Sequence, residues 1–226
     1  GTGVRARFVG HPLAERPAAG PAGGYRAALG LPAGRTTVAL LPGSREPEVR
    51  RIFPAMLEAA ERIRERHPDA QFVVPVAPTL QEESLRPFLA SHATLPVTLV
   101  AGKAEEAVGA ADAALVKSGT STLETALMRR PMVVVYRMAW LSFLLGKLLV
   151  RVAHFALVNV LAGRRLVPEL LQLQASPQRM ADEVERLLQD PAAREAQLRG
   201  LDEVRGSLGG PGAARRVAEE IAGVLA

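Results

Sequence analysis

The sequence predicts a doubly wound, parallel α/β sheet of the Rossmann-like kind, followed by a helical C-terminal tail. Three observations lead there. Short apolar runs rich in β-branched residues recur, as strands buried on both faces do. Stretches with helical spacing of apolar residues separate them. The two alternate at least five times, the order that builds a parallel sheet with crossover helices.

The elements follow in chain order. Val4 to Val9 reads as a strand, closed by Gly10, His11 and Pro12. Residues 17–35 are rich in Pro, Gly and Ala and predict a loop holding a short helix around Gly24 to Leu29. Thr36 to Leu41 is a continuous apolar strand. Glu48 to Arg66 brings Ile52, Met56, Leu57, Ala60 and Ile63 to one helix face and ends at His67-Pro68-Asp69. Gln71 to Val76 is a strand, Thr79 to Ala90 a helix with Pro87 near its end, and Val97 to Val100 a strand. Glu105 to Ala110 is a short helix and Ala113 to Val116 a strand. Lys117 to Arg130 is a loop entering a helix, and Pro131 to Tyr136 a strand. From Met138 the pattern changes. Trp140 to Val158 is apolar, and Ser176 to Ala226 is mostly helical, with Ser176 as N-cap and Pro177 at the first helical position. The expected division is therefore 1–175 for the sheet domain and 176–226 for a helical tail that folds back or crosses to a neighbouring domain or subunit.

Composition narrows the chemistry. The 226 residues suffice for a large core, with 48% hydrophobic and only 4% aromatic residues. With no cysteine, disulfides, thiolate catalysis and Cys-based zinc sites are excluded. Lys and Arg number 28 against 23 acids, a net charge of +5, which suits an anionic partner. No basic stripe interleaved with aromatics is present, so nucleic acid is not expected. His11, His67, His92 and His154 are scattered and none pairs at metal-ligand spacing, so no metal site is expected. The opening GTGVRARFVG lacks a basic segment leading into an apolar run, so no signal peptide is expected. It starts almost within a strand, as part of a longer chain would.

Two loops stand out. Leu40 to Ile52 reads LLPGSREPEVRRI. A buried strand delivers this loop to the carboxyl edge of the sheet, where open parallel sheets bind ligands. Gly43 permits close backbone approach, Ser44 can cap the helix, and Arg45 offers a fork suited to phosphate oxygens. The helix N-terminus favours an anion. An ordinary turn with a solvated arginine fits the same residues. Neither the P-loop nor the GxGxxG pattern is present. The second loop, KSGTSTLE (Lys117 to Glu124), has the same strand–turn–helix position. Ser118, Gly119 and Thr120 supply hydroxyls and amides, and Glu124 can bind paired ribose hydroxyls. A capping box between Ser121 and Glu124 is the competing explanation. Together, one basic loop and one acidic loop on a single sheet edge suit a nucleoside diphosphate.

Two further stretches are notable. Trp140 to Val158 is interrupted by Gly146, Lys147, Arg151 and His154, which argues against spanning a membrane. It is either a core helix or an interfacial helix lying on an anionic membrane. Asn159, in LVNVLAGRRLVPELLQ, either bonds a ligand or caps a helix.

FVGHPLAE (8–15), LLPGSREPEV (40–49), ADAALVKSGTSTLETAL (111–127), RPMVVVYRM (130–138) and NVLAGRRLVPELLQ (159–172), in this order, resemble the lipid-A-disaccharide synthase family. That resemblance implies one half of a GT-B glycosyltransferase, the half that binds the sugar-nucleotide donor. It implies an inverting, metal-independent hexosyl transfer without cofactor. UDP-2,3-diacylglucosamine would be the donor and 2,3-diacylglucosamine 1-phosphate the acceptor. It assigns Gly43, Ser44 and Arg45 to the diphosphate or donor sugar, with Arg45 catalytic through the charge that develops on the leaving diphosphate. It assigns Ser118, Gly119 and Thr120 to the phosphates, Glu124 to the ribose and Asn159 to the donor-site lining. The general base is expected in the other half, so donor binding without turnover is the expectation for this chain alone. The resemblance also implies a cytoplasmic location, peripheral on the inner membrane through about 140–158, and a homodimer able to exchange C-terminal elements. Val158 stands where the family usually has proline, which implies a different local turn. The competing readings are a UDP-N-acetylglucosamine 2-epimerase-like enzyme and a non-catalytic nucleotide-binding module at a membrane surface.

Overall fold

The structure, a computed structural model, describes residues 6–15, 19–138 and 154–225. The part of the apolar run at 139–153 lies outside these residues.

The sheet has six parallel strands in the order β3-β2-β1-β4-β5-β6. They are β1 (Thr37–Leu41), β2 (Gln71–Val76), β3 (Val97–Ala101), β4 (Ala113–Lys117), β5 (Met132–Tyr136) and β6 (Glu169–Leu171). The described helices are α1 (Ala22–Ala28), α2 (Glu46–Arg66), α3 (Arg86–Ala90), α4 (Ala104–Ala110), α5 (Thr120–Leu127), α6 (Leu157–Ala162), α7 (Pro177–Gln189), α8 (Pro191–Ser207) and α9 (Ala213–Leu225). The chain order reverses at β1, whose neighbours are β2 and β4. That is the topological switch point, where the carboxyl ends of two adjacent strands open a crevice.

Alternation along the central strands divides the core. Val38 and Leu40 of β1 and Ala113 and Leu115 of β4 face one helical layer, while Ala39, Leu41, Ala114 and Val116 face the other. The first layer is α2 and α7. Ile52, Phe53, Met56, Leu57 and Ile63 of α2 meet Met180, Ala181, Val184 and Leu187 of α7, all buried. Burying such side chains contributes roughly 1.5–3 kcal/mol each. This lets α2 run unbroken through Pro54, a substitution that costs an isolated helix interior about 3 kcal/mol. The second layer holds Ala107 and Val108 of α4, Leu123 and Ala126 of α5, and Leu201 and Val204 of α8.

The tail expected at 176–226 is mostly helical over its described residues. Helices α7 and α8 cover opposite faces of this chain's own sheet. Only α9 lies beyond the core layers, tied to the N-terminal stretch by Arg216 Nε donating to the Val9 carbonyl at 2.8 Å. Ser176 is the N-cap of α7, accepting from Arg179 N at 3.3 Å, with Pro177 next, as the sequence predicts.

Two predicted elements differ. Ala6 to Val9 form no strand. They follow the C-terminal end of α8, where His11 N donates to the Leu208 carbonyl, and pair with no sheet edge. The helix predicted over Thr79–Ala90 is a 3-10 turn at Glu82–Ser84 followed by α3. Pro87 opens α3 rather than ending the longer helix, because proline is tolerated in the first turn, where its missing N–H costs nothing.

Some of the positive charge is structural. At the amino edge of the sheet Arg26 bonds Asp112 at 2.7 Å and the Ala110 carbonyl at 2.9 Å. Arg130 donates to the Gly109 carbonyl at 2.7 Å and Arg194 to the Asp112 carbonyl at 2.7 Å. Burial, above all, lowers the Arg130 pKa. These arginines satisfy carbonyls at and just after the end of α4, on the edge opposite the crevice.

The layer of α2 and α7 is also clasped by Arg66 and Asp182 at 2.7 Å. The hydrogen bond from Arg66, with a second from Gln178, holds the Asp182 carboxyl below the usual carboxylate range. A depressed folded pKa stabilises above the unfolded value, and the contribution disappears as pH falls through the folded one. The pair is half exposed, so its worth is under about 1 kcal/mol. Asp182→Asn is expected to lower the urea midpoint slightly near neutrality, with the deficit fading as pH falls through the lowered folded pKa of the carboxyl. A deficit independent of pH would assign the effect to packing instead of charge.

Candidate ligand site at the sheet switch point

A cleft of about 590 Å³ opens at the carboxyl edge over β1, β2 and β4, a size suited to a small ligand. Leu41 and Val76 contribute to its walls. The loop after β1 enters it through Gly43, Ser44 and Arg45, and the loop after β4 through Gly119 and Thr120. Glu124 lines it from the second turn of α5. A smaller recess of about 310 Å³ shares Leu41, Ser121 and Glu124 and extends to Val108 and Met128. The two loops singled out in the sequence thus come together, although 69 residues separate Glu48 from Lys117.

Gly43 is there for its backbone. Its φ is +116°, and a Cβ built on it would stand 2.8 Å from Glu48 Oε2. Gly43→Ala is expected to cost about 1–3 kcal/mol, read as a lower melting temperature, because the loop must distort or Glu48 must move. An unchanged melt would mean the loop adopts another conformation freely. Ser44 is pinned through its carbonyl, which accepts from Thr79 Oγ1 at 2.6 Å. The Arg45 side chain is 81% exposed at the mouth. The helix start offers fewer amides than the sequence suggests, since Pro47 has no N–H and Glu48 N and Val49 N both turn to the Arg45 carbonyl. Charge on side chains therefore carries more of the anion-attracting character.

The second loop resolves the capping question. The N-cap of α5 is Gly119, without a side-chain cap, and Ser121 lies inside the helix with its Oγ toward the Lys117 carbonyl. The capping box is not formed, which places Glu124 on the cleft for a different reason. Thr122 Oγ1 donates to the Gly119 carbonyl at 2.7 Å. Ser118 turns aside, its Oγ donating to the Phe155 carbonyl at 3.2 Å.

Asn159 is not among the residues that line the cleft. It is fully buried inside α6. Its Oδ1 accepts from Leu166 N at 2.9 Å and Val167 N at 2.8 Å. Its Nδ2 donates to the Val167 carbonyl at 3.0 Å and Glu169 Oε1 at 2.7 Å. All four hydrogen-bonding positions of the amide are taken. Glu169 also accepts from Phe155 N and Ala156 N, so the pair clasps α6 to the strand entering the sheet edge.

Sequence reasoning passed over Glu48 and Lys117. Lys117 Nζ donates to Glu48 Oε1 at 2.9 Å, and Arg45 Nη1 is 3.7 Å from the same oxygen. Both residues stand within the quoted motifs, and their signal was position: one ends a strand at the switch point, the other opens the facing helix. Among the described residues no three His, Asp or Glu side chains gather as metal ligands would. The cleft is lined by the cations Arg45 and Lys117 and by the carboxylates Glu48 and Glu124, a set that can hold an anion joined to a diol.

A family model described as lipid-A-disaccharide synthetase matches residues 1–209. The lipid-A-disaccharide synthase of Anaeromyxobacter dehalogenans is 68% identical over 225 residues, covering 100% of this chain and 59% of that protein. The chain thus spans under two thirds of that relative's length. Among solved structures, sucrose-phosphate synthase from Thermosynechococcus elongatus superposes with a TM-score of 0.61 at 16% identity, over 96% of this chain and 51% of its own. The UDP-GlcNAc 2-epimerase of Neisseria meningitidis, bound to UDP-GlcNAc, gives 0.54 at 12%, over 88% and 47%. At such identities the structures speak for the fold alone: a Rossmann-like half of the GT-B architecture.

Proposed function

Since the chain belongs to the lipid-A-disaccharide synthetase family, we propose that it is the donor-binding half of such a glycosyltransferase and holds UDP-2,3-diacylglucosamine for transfer to 2,3-diacylglucosamine 1-phosphate. The observation that carries this reading is the convergence of Arg45 and Glu124 on one cleft at the switch point. In this reading Arg45 holds the diphosphate, Glu124 the ribose, and the smaller recess the base. In the transfer step the bond from the sugar carbon to the diphosphate breaks, negative charge grows on the leaving oxygens, and the cations that face them stabilise it. The general base belongs to the part of the enzyme outside this sequence. The epimerase-like alternative shares the fold, but the family match runs against it.

Calorimetric titration with UDP, beside a disaccharide-forming assay, tests the proposal. UDP is expected to bind with a micromolar constant and uridine more weakly, with little or no turnover by this chain. Absence of UDP binding would defeat the donor-site assignment, and full turnover would defeat the division of labour.

Contact with the inner-membrane surface is part of the same proposal. Phe155, Leu157, Val160 and Leu161, on and beside α6, are 37–53% exposed where the apolar run ends. No helix among the described residues is long and apolar enough to cross a membrane. Replacing Phe155 and Leu157 with Ser is expected to reduce sedimentation with anionic vesicles. Equal sedimentation of the variant and the original chain would remove this contact.

A further inference from the structure

We propose that Glu48 is a built-in stand-in for the donor's diphosphate: it neutralises Lys117 until an arriving diphosphate takes Lys117 over. This rests on the donor-binding reading above. Lys117 is the last residue of β4 and its side chain is only 16% exposed. An ammonium so far out of water requires a negative partner. Glu48, 20% exposed, provides one through Oε1 at 2.9 Å. The same oxygen is the one that Arg45 approaches at 3.7 Å. One carboxylate oxygen therefore serves two cations, Lys117 and Arg45.

A diphosphate is a better partner. It carries more negative charge and several oxygens, so Lys117 and Arg45 can each have their own. Lys117 has room to exchange, because it lies 5.8 Å from the Tyr136 ring centroid, a second cation-accepting surface, and borders Gly119 with no side chain in the way. Glu48 cannot leave with equal ease. It sits in the first turn of α2, against Gly43. It therefore remains as a like charge beside the bound phosphates. The consequence is a site that stays satisfied when empty, binds the diphosphate less tightly than its cations allow, and releases the diphosphate product faster. Lys117 becomes a diphosphate-binding residue and Glu48 its competitor.

The test is calorimetry on the full chain with UDP, uridine and inorganic pyrophosphate. Lys117→Met is expected to weaken UDP and pyrophosphate about 10-fold or more and leave uridine unchanged. Glu48→Gln is expected to tighten both anions about 3- to 10-fold and slow UDP dissociation in stopped flow by a similar factor. The gain is expected to vanish in the double variant Glu48→Gln/Lys117→Met. Should Glu48→Gln not fold, Glu48→Asp, which draws the carboxylate back, is expected to tighten both anions by a smaller factor. Weaker UDP binding by the Glu48 variants would overturn the proposal, making Glu48 a residue that positions Lys117. So would a loss in Lys117→Met that is equal for UDP and uridine. If UDP fails to bind but pyrophosphate keeps this order, the donor reading falls and the exchange stands. If UDP binds all variants alike, the exchange falls alone. If neither ligand binds, both fall.

Discussion

Asn159→Ala is expected to destabilise the protein by about 3–5 kcal/mol, the upper range for a single substitution. The amide is fully buried and bonds Leu166 N, Val167 N, the Val167 carbonyl and Glu169. Truncation leaves the Val167 N–H and carbonyl in the interior without their partner, at roughly 1–3 kcal/mol each, partly relieved by relaxation, while Leu166 N keeps the Arg164 carbonyl at 2.9 Å. In a chain of this length that corresponds to a fall of roughly 10 °C in melting temperature. Differential scanning calorimetry of the two proteins is the measurement, and a loss below about 1 kcal/mol would show that the clasp is replaceable. An Asn159 variant that melts normally yet loses UDP binding would return this side chain to the ligand.

Glu124→Ala carries the second large effect. A carboxylate that accepts from ribose hydroxyls contributes about 1.5–3 kcal/mol, so UDP and uridine are both expected to bind about 10- to 100-fold more weakly. The two losses should match, because both ligands share the ribose. Arg45→Ala is expected to behave oppositely, weakening UDP and leaving uridine as it was, if the exposed guanidinium at the cleft meets the diphosphate as proposed. The hydroxyl assignment has its own control. The original chain is expected to prefer uridine over its 2′-deoxy form, and Glu124→Ala to bind the two alike. Retention of the preference in the variant would place the ribose elsewhere.

Much of the fold was legible because parallel strands buried on both faces leave an unmistakable run. Gln71–Val76 was read to the residue, and β1, β3, β4 and β5 within one residue at an end. The misread elements lack that constraint. Val4 to Val9 has strand-like composition, but among its described residues Val9 gives its carbonyl to Arg216 and Arg7 pairs with Glu220, and none pairs with a sheet edge. Thr79 to Ala90 has polar and apolar residues that suit a helix, yet Pro87 makes better use of a helix start than of a helix end. Asn159 shows the same limit at the site. A ligand contact and an internal clasp use the same amide, and only the positions of Leu166 to Glu169 tell them apart.

The sequence by itself determined the class of sheet, the two strand–turn–helix loops at its carboxyl edge and the family, because these are written in local periodicity and contiguous motifs. Tertiary structure alone decided how charge is arranged between the loops. Lys117 and Glu48 are unremarkable within their own segments. They become a pair because the crossover topology sets β4 beside β1, and the helix that follows β1 starts beside the end of β4. A contact between residues so far apart along the chain depends on strand order and register, which no local pattern encodes. The reach of Ser118 to Phe155, and the failure of Ser121 to cap Glu124, were decided the same way, by which backbone groups the folded chain brought within hydrogen-bonding distance.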